Sequence, residues 1–256
     1  PINFVYHASC LGAEGYAISA VGDDELGKEI VDELDKNHIQ HLIEKVPYPT
    51  GTVQVELREG IPTYTIHERV AWDHISPTSD AIDLAEKADA ICFGTLARQS
   101  RETIQAISSF APKDAYRLLD INLRQRYYDK ELIEESLYLA NVLKVNDEEF
   151  NVLRDLFGLN GTEREVALWF IEKYGLRMFV LTAGSSHSTI YTREEISTLP
   201  TPEVTVADTV GAGDAFSGAL IISLLKGKSL SEAHHFAVKT AAFVCTKEGA
   251  WPVYEE

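Results

Sequence analysis

Apolar residues recur along the chain at two alternating spacings, one typical of helices and the other typical of strands. From residue 79 onward, runs with an apolar residue every three to four positions alternate with short, nearly continuous apolar runs. The predicted helices cover residues 81–87, 101–110, 130–140, 148–157 and 162–174, with a last one beginning near 230. The predicted strands cover residues 90–94, 117–123, 141–146, 177–184 and 189–192. This order predicts a three-layer α/β fold, in which a doubly wound, mostly parallel sheet has helices on both faces.

The first 46 residues carry the same two patterns. Their predicted elements are a helix over 2–11, a strand over 16–22 and a helix over 25–37 that Asp23 or Asp24 can cap. Residues 1–46 and 76–256 are therefore predicted to form one α/β core. Because the chain begins at Pro1 inside an apolar run and stops soon after Trp251, we expect an N-terminal strand and a C-terminal tail to be missing.

Residues 47–75 follow a different pattern. Residues 52–57 and 63–67 each alternate between polar and apolar side chains, and Glu59-Gly-Ile-Pro62 separates them, which predicts a β-hairpin. The polar alternate positions indicate one solvent-facing side, so a lid over a site is favoured over an extension of the main sheet. A small exposed sheet can also pair with its copy, and we therefore expect a homodimer through this lid.

Composition limits the classes of function. The formal net charge of -17 argues against binding to nucleic acid or to an anionic membrane, and any nucleotide site would need local N–H donors or a metal ion. The three cysteines lie in apolar segments, which is typical of reduced, buried thiols and not of a disulfide framework. No apolar run approaches the ~20 residues of a membrane span, and no signal-peptide pattern is present. The cytoplasm is the expected location.

The stretch 208–218, DTVGAGDAFSG, carries the strongest chemical signal. It follows a run with strand character, 204–207, and precedes an apolar helical run, so it is predicted to form a strand-to-helix junction. The unpaired N–H groups and the dipole of a helix start favour an anion such as phosphate, and Gly211 and Gly213 would let the backbone approach it closely. Asp214 would repel an anion unless its task is to accept a proton. By itself, however, Asp214 could equally stabilise the first helical turn.

Polar residues also follow several predicted strands, at the edge of the sheet where ligands bind in folds of this class. They are Asp120, Asn122 and Arg124, which a strand would place on one side, Asn146 with Glu149, and Thr182 with Gly184. Each has a simpler explanation, since these residues can cap a helix, pair at the surface or turn the chain. Together with the glycine stretch they predict one cleft that handles phosphate.

The stretch 208–218 resembles the C-terminal signature of the ribokinase-like carbohydrate kinases, the PfkB family. The N-terminal signature of that family is partly present as Asn3, Gly12 and Gly22, although Val5 stands where a small residue is usual. The order of elements agrees over essentially the whole chain. Residues 64–68, 71–73 and 120–124 are most similar to the fructokinase branch.

This resemblance implies a role for each matching residue. Asp214 would be the catalytic base, with N–H donors from Gly211, Ala212 and Gly213 on the transferred phosphoryl group. Asn146 and Glu149 would hold magnesium-bound phosphates through water, Thr182 and Gly184 would contact the nucleotide, and Asn3 and Arg124 would contact the sugar. His187 stands where the nucleotide loop usually has a glycine, and Asp208 with the Val210 carbonyl is the candidate for a potassium site.

The implied reaction is the transfer of a phosphoryl group from ATP, with Mg2+, to a terminal hydroxyl of a sugar. D-fructose, giving fructose 6-phosphate, is the expected substrate. A ribokinase and a 2-keto-3-deoxygluconate kinase are the alternatives within the family, and a non-catalytic sugar sensor is the alternative outside enzymes. A dinucleotide-dependent oxidoreductase is disfavoured, because Phe216 occupies the place of the third glycine of its fingerprint.

Overall fold

The computed structural model describes residues 1–58, 61–124 and 128–254. Its strands are β1 (Tyr16–Gly22), β2 (Gln40–Val46), β3 (Val53–Arg58), β4 (Ile61–Ile66), β5 (Ala90–Phe93), β6 (Tyr116–Asp120), β7 (Val142–Asn146), β8 (Met178–Ala183), β9 (His187–Tyr191) and β10 (Ile196–Pro200). Its α-helices are α1 (Ile2–Cys10), α2 (Glu25–Lys36), α3 (Ser79–Ala85), α4 (Arg101–Phe110), α5 (Lys130–Leu139), α6 (Asp147–Phe157), α7 (Glu163–Tyr174), α8 (Ala212–Leu225) and α9 (Leu230–Cys245).

Six strands form the main sheet, in the order β10-β9-β8-β7-β6-β5. Strands β5 to β8 are parallel to one another, whereas β9 and β10 are antiparallel to their neighbours. Strands β1 and β2 make a separate parallel pair, and β3 and β4 make the antiparallel pair that the alternating pattern predicts. The predicted turn of that hairpin lies partly outside the described residues, at 59–60.

Two apolar layers cover the faces of the main sheet. Successive strand residues point to opposite faces, so Leu119 packs with α5, α6 and α7 while Leu118 packs with α1, α8 and α9. Both side chains are almost fully buried. The predicted three-layer α/β class, with a mostly parallel sheet, is confirmed. Among the described helices, none combines the length and apolar character that crossing a membrane requires.

Helix ends follow the local capping signals closely. Asp24 caps α2 by accepting the Gly27 N–H. Capping boxes open α6, α7 and α9 at Asn146, Thr162 and Ser229, and each satisfies two backbone N–H groups that the helix cannot pair internally. Because these caps depend on residues three positions apart, their signal in the sequence is local.

The predicted strand over 117–123 is too long. Strand β6 ends at Asp120, and Asn122 adopts a left-handed conformation with φ of 48°. The Leu123 N–H donates to the Glu149 carboxylate at 2.9 Å, so the chain has turned from the sheet toward α6. Asp120, Asn122 and Arg124 therefore do not line one side of a strand, and that expectation is wrong.

The expected strand over 204–207 is also absent from the described structure, so a loop and not a strand leads into α8. Val206 is 57% exposed, and β-propensity alone does not make a strand without a neighbour to pair with. Conversely, the patterns did not predict β2 and β10. Both lie at sheet edges, and polar residues interrupt the apolar residues in each, so neither gives a continuous apolar signal.

Candidate active site at the N-terminus of helix α8

The glycine loop turns sharply into α8 at Gly211. This residue is the N-cap, with φ of 82° and ψ of -9°, and a Cβ there would lie 3.0 Å from three atoms of Ala250. A side chain is therefore excluded by both conformation and crowding. The cap has no side-chain hydrogen bond. Within the described chain the N–H groups of Gly211, Gly213 and Asp214 have no acceptor. The Ala212 N–H, which was expected to face the phosphoryl group, instead donates to the Thr209 carbonyl at 3.3 Å, so that part of the expected donor set is wrong.

Asp214 stands in the first turn of α8 and contacts α1 directly. The Asn3 Nδ2 donates to Asp214 Oδ2 at 3.0 Å, and the Trp251 indole N–H donates to Asn3 Oδ1 at 2.9 Å. Among the described residues, Asp214 Oδ1 accepts no hydrogen bond, and it is free to receive one from a ligand hydroxyl. Asn3 and Asp214, which the sequence assigns to one site from opposite ends of the chain, thus touch.

A buried lysine lies below the same turn. The Lys144 Nζ is 2.9 Å from Asp120 Oδ2, and a Cβ added at Gly213 would be 3.3 Å from that nitrogen. Burial by itself would lower the pKa of Lys144, but the carboxylates of Asp120, Asp214 and Glu149 outweigh it, and the pKa is raised above its ordinary value. The ammonium group therefore stays charged beneath the turn that opens α8. Lys144 was not among the residues predicted from the sequence, although a lysine inside an apolar strand is itself a signal.

Asn146 and Glu149 bond to each other at the start of α6. Asn146 Oδ1 accepts the Glu149 N–H at 2.8 Å, and Glu149 Oε2 accepts the Asn146 N–H at 2.9 Å. Glu149 Oε1 accepts the Leu123 N–H, so backbone donors occupy both carboxylate oxygens. Burial raises the pKa of Glu149, against the lowering effect of those bonds and of Lys144. A carboxylate engaged in this way suits a magnesium ion held through water better than one bound directly.

The predicted nucleotide loop is the tight turn between β8 and β9. Thr182 lies opposite Asn146 in the parallel register, which brings the two strand ends together. Gly184 takes the left-handed conformation, with φ of 50°. His187 begins β9, pairs with Ala183 and has no positive φ. A Cβ is therefore compatible with the backbone at His187, where a glycine was expected.

Asp208 fixes the loop that precedes Gly211. Its two carboxylate oxygens accept the N–H groups of Val210 at 3.0 Å and Gly249 at 3.1 Å. These bonds hold the pKa of Asp208 below its usual range. In the described ranges, no three His, Cys, Asp or Glu side chains are grouped as a metal site would require.

Arg124 is the predicted residue that the structure does not bring to the others. Its side chain is exposed, and its Nη1 donates to the carbonyl of the adjacent Leu123 at 3.1 Å. The remaining site residues lie at the carboxyl ends of β6, β7 and β8 and around the N-terminus of α8. They form a turn with open N–H donors, a carboxylate with one free oxygen and a buried cation. This combination can hold a phosphoryl group beside a proton acceptor.

Known proteins are similar to this chain in sequence and in fold. A Pyrococcus horikoshii protein described as an uncharacterized sugar kinase is 30% identical, over 98% of this chain and 81% of its own length. A fructokinase of Rhizobium leguminosarum bv. trifolii is 27% identical, over 84% of this chain and 67% of its own length. The solved structure of the Pyrococcus protein in complex with ATP superposes with a TM-score of 0.79 at 27% identity, covering 97% of this chain and 82% of that one.

The family match extends over nearly the whole chain, from residue 1 to residue 255. It includes both the glycine turn with Asp214 and the opposite end of the chain, where Asn3 lies. The resemblance stated from the signature sequence is thereby confirmed: the chain belongs to the pfkB family of carbohydrate kinases.

Proposed function

We propose that this kinase transfers the γ-phosphoryl group of ATP to a terminal hydroxyl of D-fructose, giving fructose 6-phosphate and ADP. The observation that carries the proposal is the placement of Asp214, which is hydrogen-bonded at one oxygen and open at the other, beside a turn of unpaired N–H groups. Phosphoryl transfer needs positioning and charge neutralisation more than covalent help from the protein, and this site supplies both.

The free Oδ1 of Asp214 would accept the hydrogen bond of the sugar hydroxyl and align its oxygen with phosphorus. As the new O–P bond forms and the bond to the ADP oxygen breaks, the hydroxyl becomes more acidic, and its proton passes to Asp214. The N–H groups of Gly213 and Asp214 would donate to the transferred phosphoryl oxygens, with the Lys144 ammonium behind them. These donors oppose the negative charge of the protein at the point where a polyanion must bind.

ATP is supported as the phosphoryl donor by the relative whose structure contains it and by the open turn before α8. Asn146 and Glu149 fit a magnesium ion held through water, since both Glu149 oxygens already accept backbone N–H groups. Magnesium, when bound, would neutralise part of the phosphate charge. Thr182 and Gly184 would line the nucleotide, and Arg124 would have to swing inward to reach any substrate.

D-fructose is supported by the fructokinase among the relatives and by the similarity of residues 71–73 to that branch. Ribose and 2-keto-3-deoxygluconate remain the alternatives. The test is ADP release measured with ATP and Mg2+ against these three compounds. We expect the highest kcat/KM with fructose. A higher kcat/KM with ribose or 2-keto-3-deoxygluconate would identify that compound as the substrate instead. Sugar binding without ADP release from any of them would overturn the kinase assignment.

Residues 47–75 contribute a hairpin whose role as a lid is part of this proposal. Gly51 lies before β3, and a Cβ there would fall 2.0 Å from the Trp72 ring, so the backbone at Gly51 packs directly against an aromatic side chain. Dimerisation through this hairpin stays a prediction. Potassium binding at Asp208 and Val210 also stays a prediction, and equal turnover in sodium and potassium buffers would contradict it.

A further inference from the structure

Trp251 lies in the segment after α9, outside the predicted set of site residues, and it forms a hydrogen bond to Asn3, a member of that set. Its indole N–H donates to Asn3 Oδ1 at 2.9 Å, and the Asn3 amide nitrogen donates to Asp214 Oδ2 at 3.0 Å. Three side chains from widely separated parts of the chain thus form one series that ends on the proposed base.

The chemistry of the three groups makes this series directional. An indole N–H can only donate, so it can only face the oxygen of the Asn3 amide. The amide nitrogen must then face the other way, toward Asp214, where it meets a carboxylate that can only accept. A reversed amide would set N–H against N–H at one end and oxygen against oxygen at the other. Trp251 therefore selects the amide orientation that holds Asp214.

The indole is itself fixed in place. It stacks on the Tyr6 ring, with centroids 5.1 Å apart and planes 5° apart. The Tyr6 hydroxyl, in turn, donates to the carbonyl of Pro252 at 2.8 Å, which ties the backbone next to Trp251 to α1. Tyr6 is buried in a small apolar cluster with Leu34 and Ile39, and Trp251 packs against that cluster. Trp251 thus presents its N–H to Asn3 from a rigid position.

We propose that Trp251 is a positioning residue for phosphoryl transfer, which acts through the Asn3 amide to hold Asp214 with Oδ2 occupied and Oδ1 directed to the substrate hydroxyl. This inference rests on the proposed function. It also changes the role expected for Asn3, whose carbonyl oxygen and one N–H are used within the protein. The second N–H of the Asn3 amide is the part left for a sugar.

The test compares Trp251→Phe, which keeps an aromatic ring to stack on Tyr6 and removes the N–H together with part of the indole, with Asn3→Leu and the double variant. Turnover is measured as ADP release with ATP, Mg2+ and the best substrate of the three-compound panel. Trp251→Phe should lower kcat about tenfold, the equivalent of one well-placed hydrogen bond, and leave KM for ATP unchanged. In the Asn3→Leu background, the same change should have no further effect, because the intermediary is gone.

Trp169→Phe is the matched control. It makes the same change in a different apolar cluster, where Trp169 packs against Phe157 and Phe170 away from Asp214, so it should lower the melting temperature and keep kcat within about twofold. If Trp251→Phe also keeps kcat within about twofold, or if its effect multiplies with that of Asn3→Leu, the proposed role is wrong.

A readout without turnover separates this inference from the proposed function. In protein labelled with 15N at tryptophan, the indole signal of Trp251 is the one that Trp251→Phe removes. Its hydrogen exchange should be slow in the wild type and at least about tenfold faster in Asn3→Leu. Equal exchange in both overturns the inference whatever the activity. Slow exchange in a protein that releases no ADP with any sugar would instead refute the proposed function alone.

Discussion

The Lys144 ammonium and the Asp120 carboxylate form an ion pair of 2.9 Å, with side chains only 8% and 13% exposed, beneath the turn that opens α8. The pair joins adjacent parallel strands and places its positive end next to Gly213. Asp120 thereby keeps Lys144 charged in a buried position, and Lys144 offsets a cluster of carboxylates around the proposed phosphoryl site. The proposed site therefore depends on the buried positive charge of Lys144, which offsets nearby carboxylates, as well as on the N–H donors of the turn.

Breaking this pair should cost stability. Lys144→Met leaves the Asp120 carboxylate buried without a partner and should lower the free energy of unfolding by about 3–5 kcal/mol in urea titration. Adding Asp120→Asn removes the stranded charge and should recover most of that loss, while ADP release stays low because the cation under α8 is gone. Lys173→Met is the control, since its pair with Glu134 is about one third exposed and should change stability by less than about 1 kcal/mol. A single Lys144 variant as stable as the wild type would contradict the argument.

Asp214→Asn should keep ATP binding and lower kcat by about 10²–10⁴-fold, because an amide can hold the sugar hydroxyl but cannot take its proton. ATP binding by calorimetry and ADP release measure the two parts separately. Asp80→Asn removes an exposed acid from the first turn of α3 and tests the simpler role of a helix-start carboxylate. It should shift stability by less than about 1 kcal/mol and leave turnover unchanged. An active Asp214→Asn enzyme would show that Asp214 only stabilises its helix.

Gly211→Ala should disrupt the turn that opens α8, which we propose binds the phosphoryl group. Alanine must adopt φ of 82° and also displace Ala250, three atoms of which would lie 3.0 Å from the new Cβ. Gly227→Ala is a matched control, because Gly227 has φ of 75° with nothing within 4 Å of a Cβ. The control should lose about 1–2 kcal/mol of stability and keep its turnover. Gly211→Ala should lose more stability and most of its ADP release, and equal behaviour of the two variants would rule out crowding at Ala250.

His234 should make stability depend on pH. It is fully buried between the hydroxyls of Ser188 and Ser197, each at 2.8 Å, and burial lowers its pKa from 6.5 to about 4. As the pH falls, His234 therefore becomes protonated near pH 6.5 in the unfolded chain but only near pH 4 in the folded chain. The contribution of neutral, buried His234 to the free energy of unfolding is complete above pH 6.5. It is lost as the pH falls from about 6.5 to about 4.

Urea titrations from pH 7 to pH 4 should show this loss in the wild type and a shallower slope in His234→Gln. The exposed neighbour His235 provides the control, and His235→Gln should retain most of the wild-type slope. The interpretation fails if His234→Gln and the wild type lose stability in parallel over this range.

Local signals in the sequence predicted much of the fold and part of the site. The capping boxes at Asn146, Thr162 and Ser229 each involve residues three positions apart, so the signal for these helix starts is local. The end of β6 at Asp120 was missed because it depends on a bond from Leu123 to Glu149, which spacing along one strand cannot reveal.

The same limit explains what was missed in the site. Asp214 and the glycine turn have a local signature, whereas Lys144 becomes relevant only because β7 runs beneath α8. Trp251 is 248 positions from its partner Asn3, and no periodicity connects them. Side chains that join the site only through contacts between distant parts of the chain therefore could not be predicted from the sequence.

The bond between Trp251 and Asn3 also has a consequence for the order of folding. The contacts of the main sheet are much closer in sequence, and contacts that close long loops form late. In refolding from urea, we expect helical circular dichroism to return before ADP release does. The enzyme would then acquire its activity only when residues near both ends of the chain have met, so that partly folded copies hold their structure without consuming ATP.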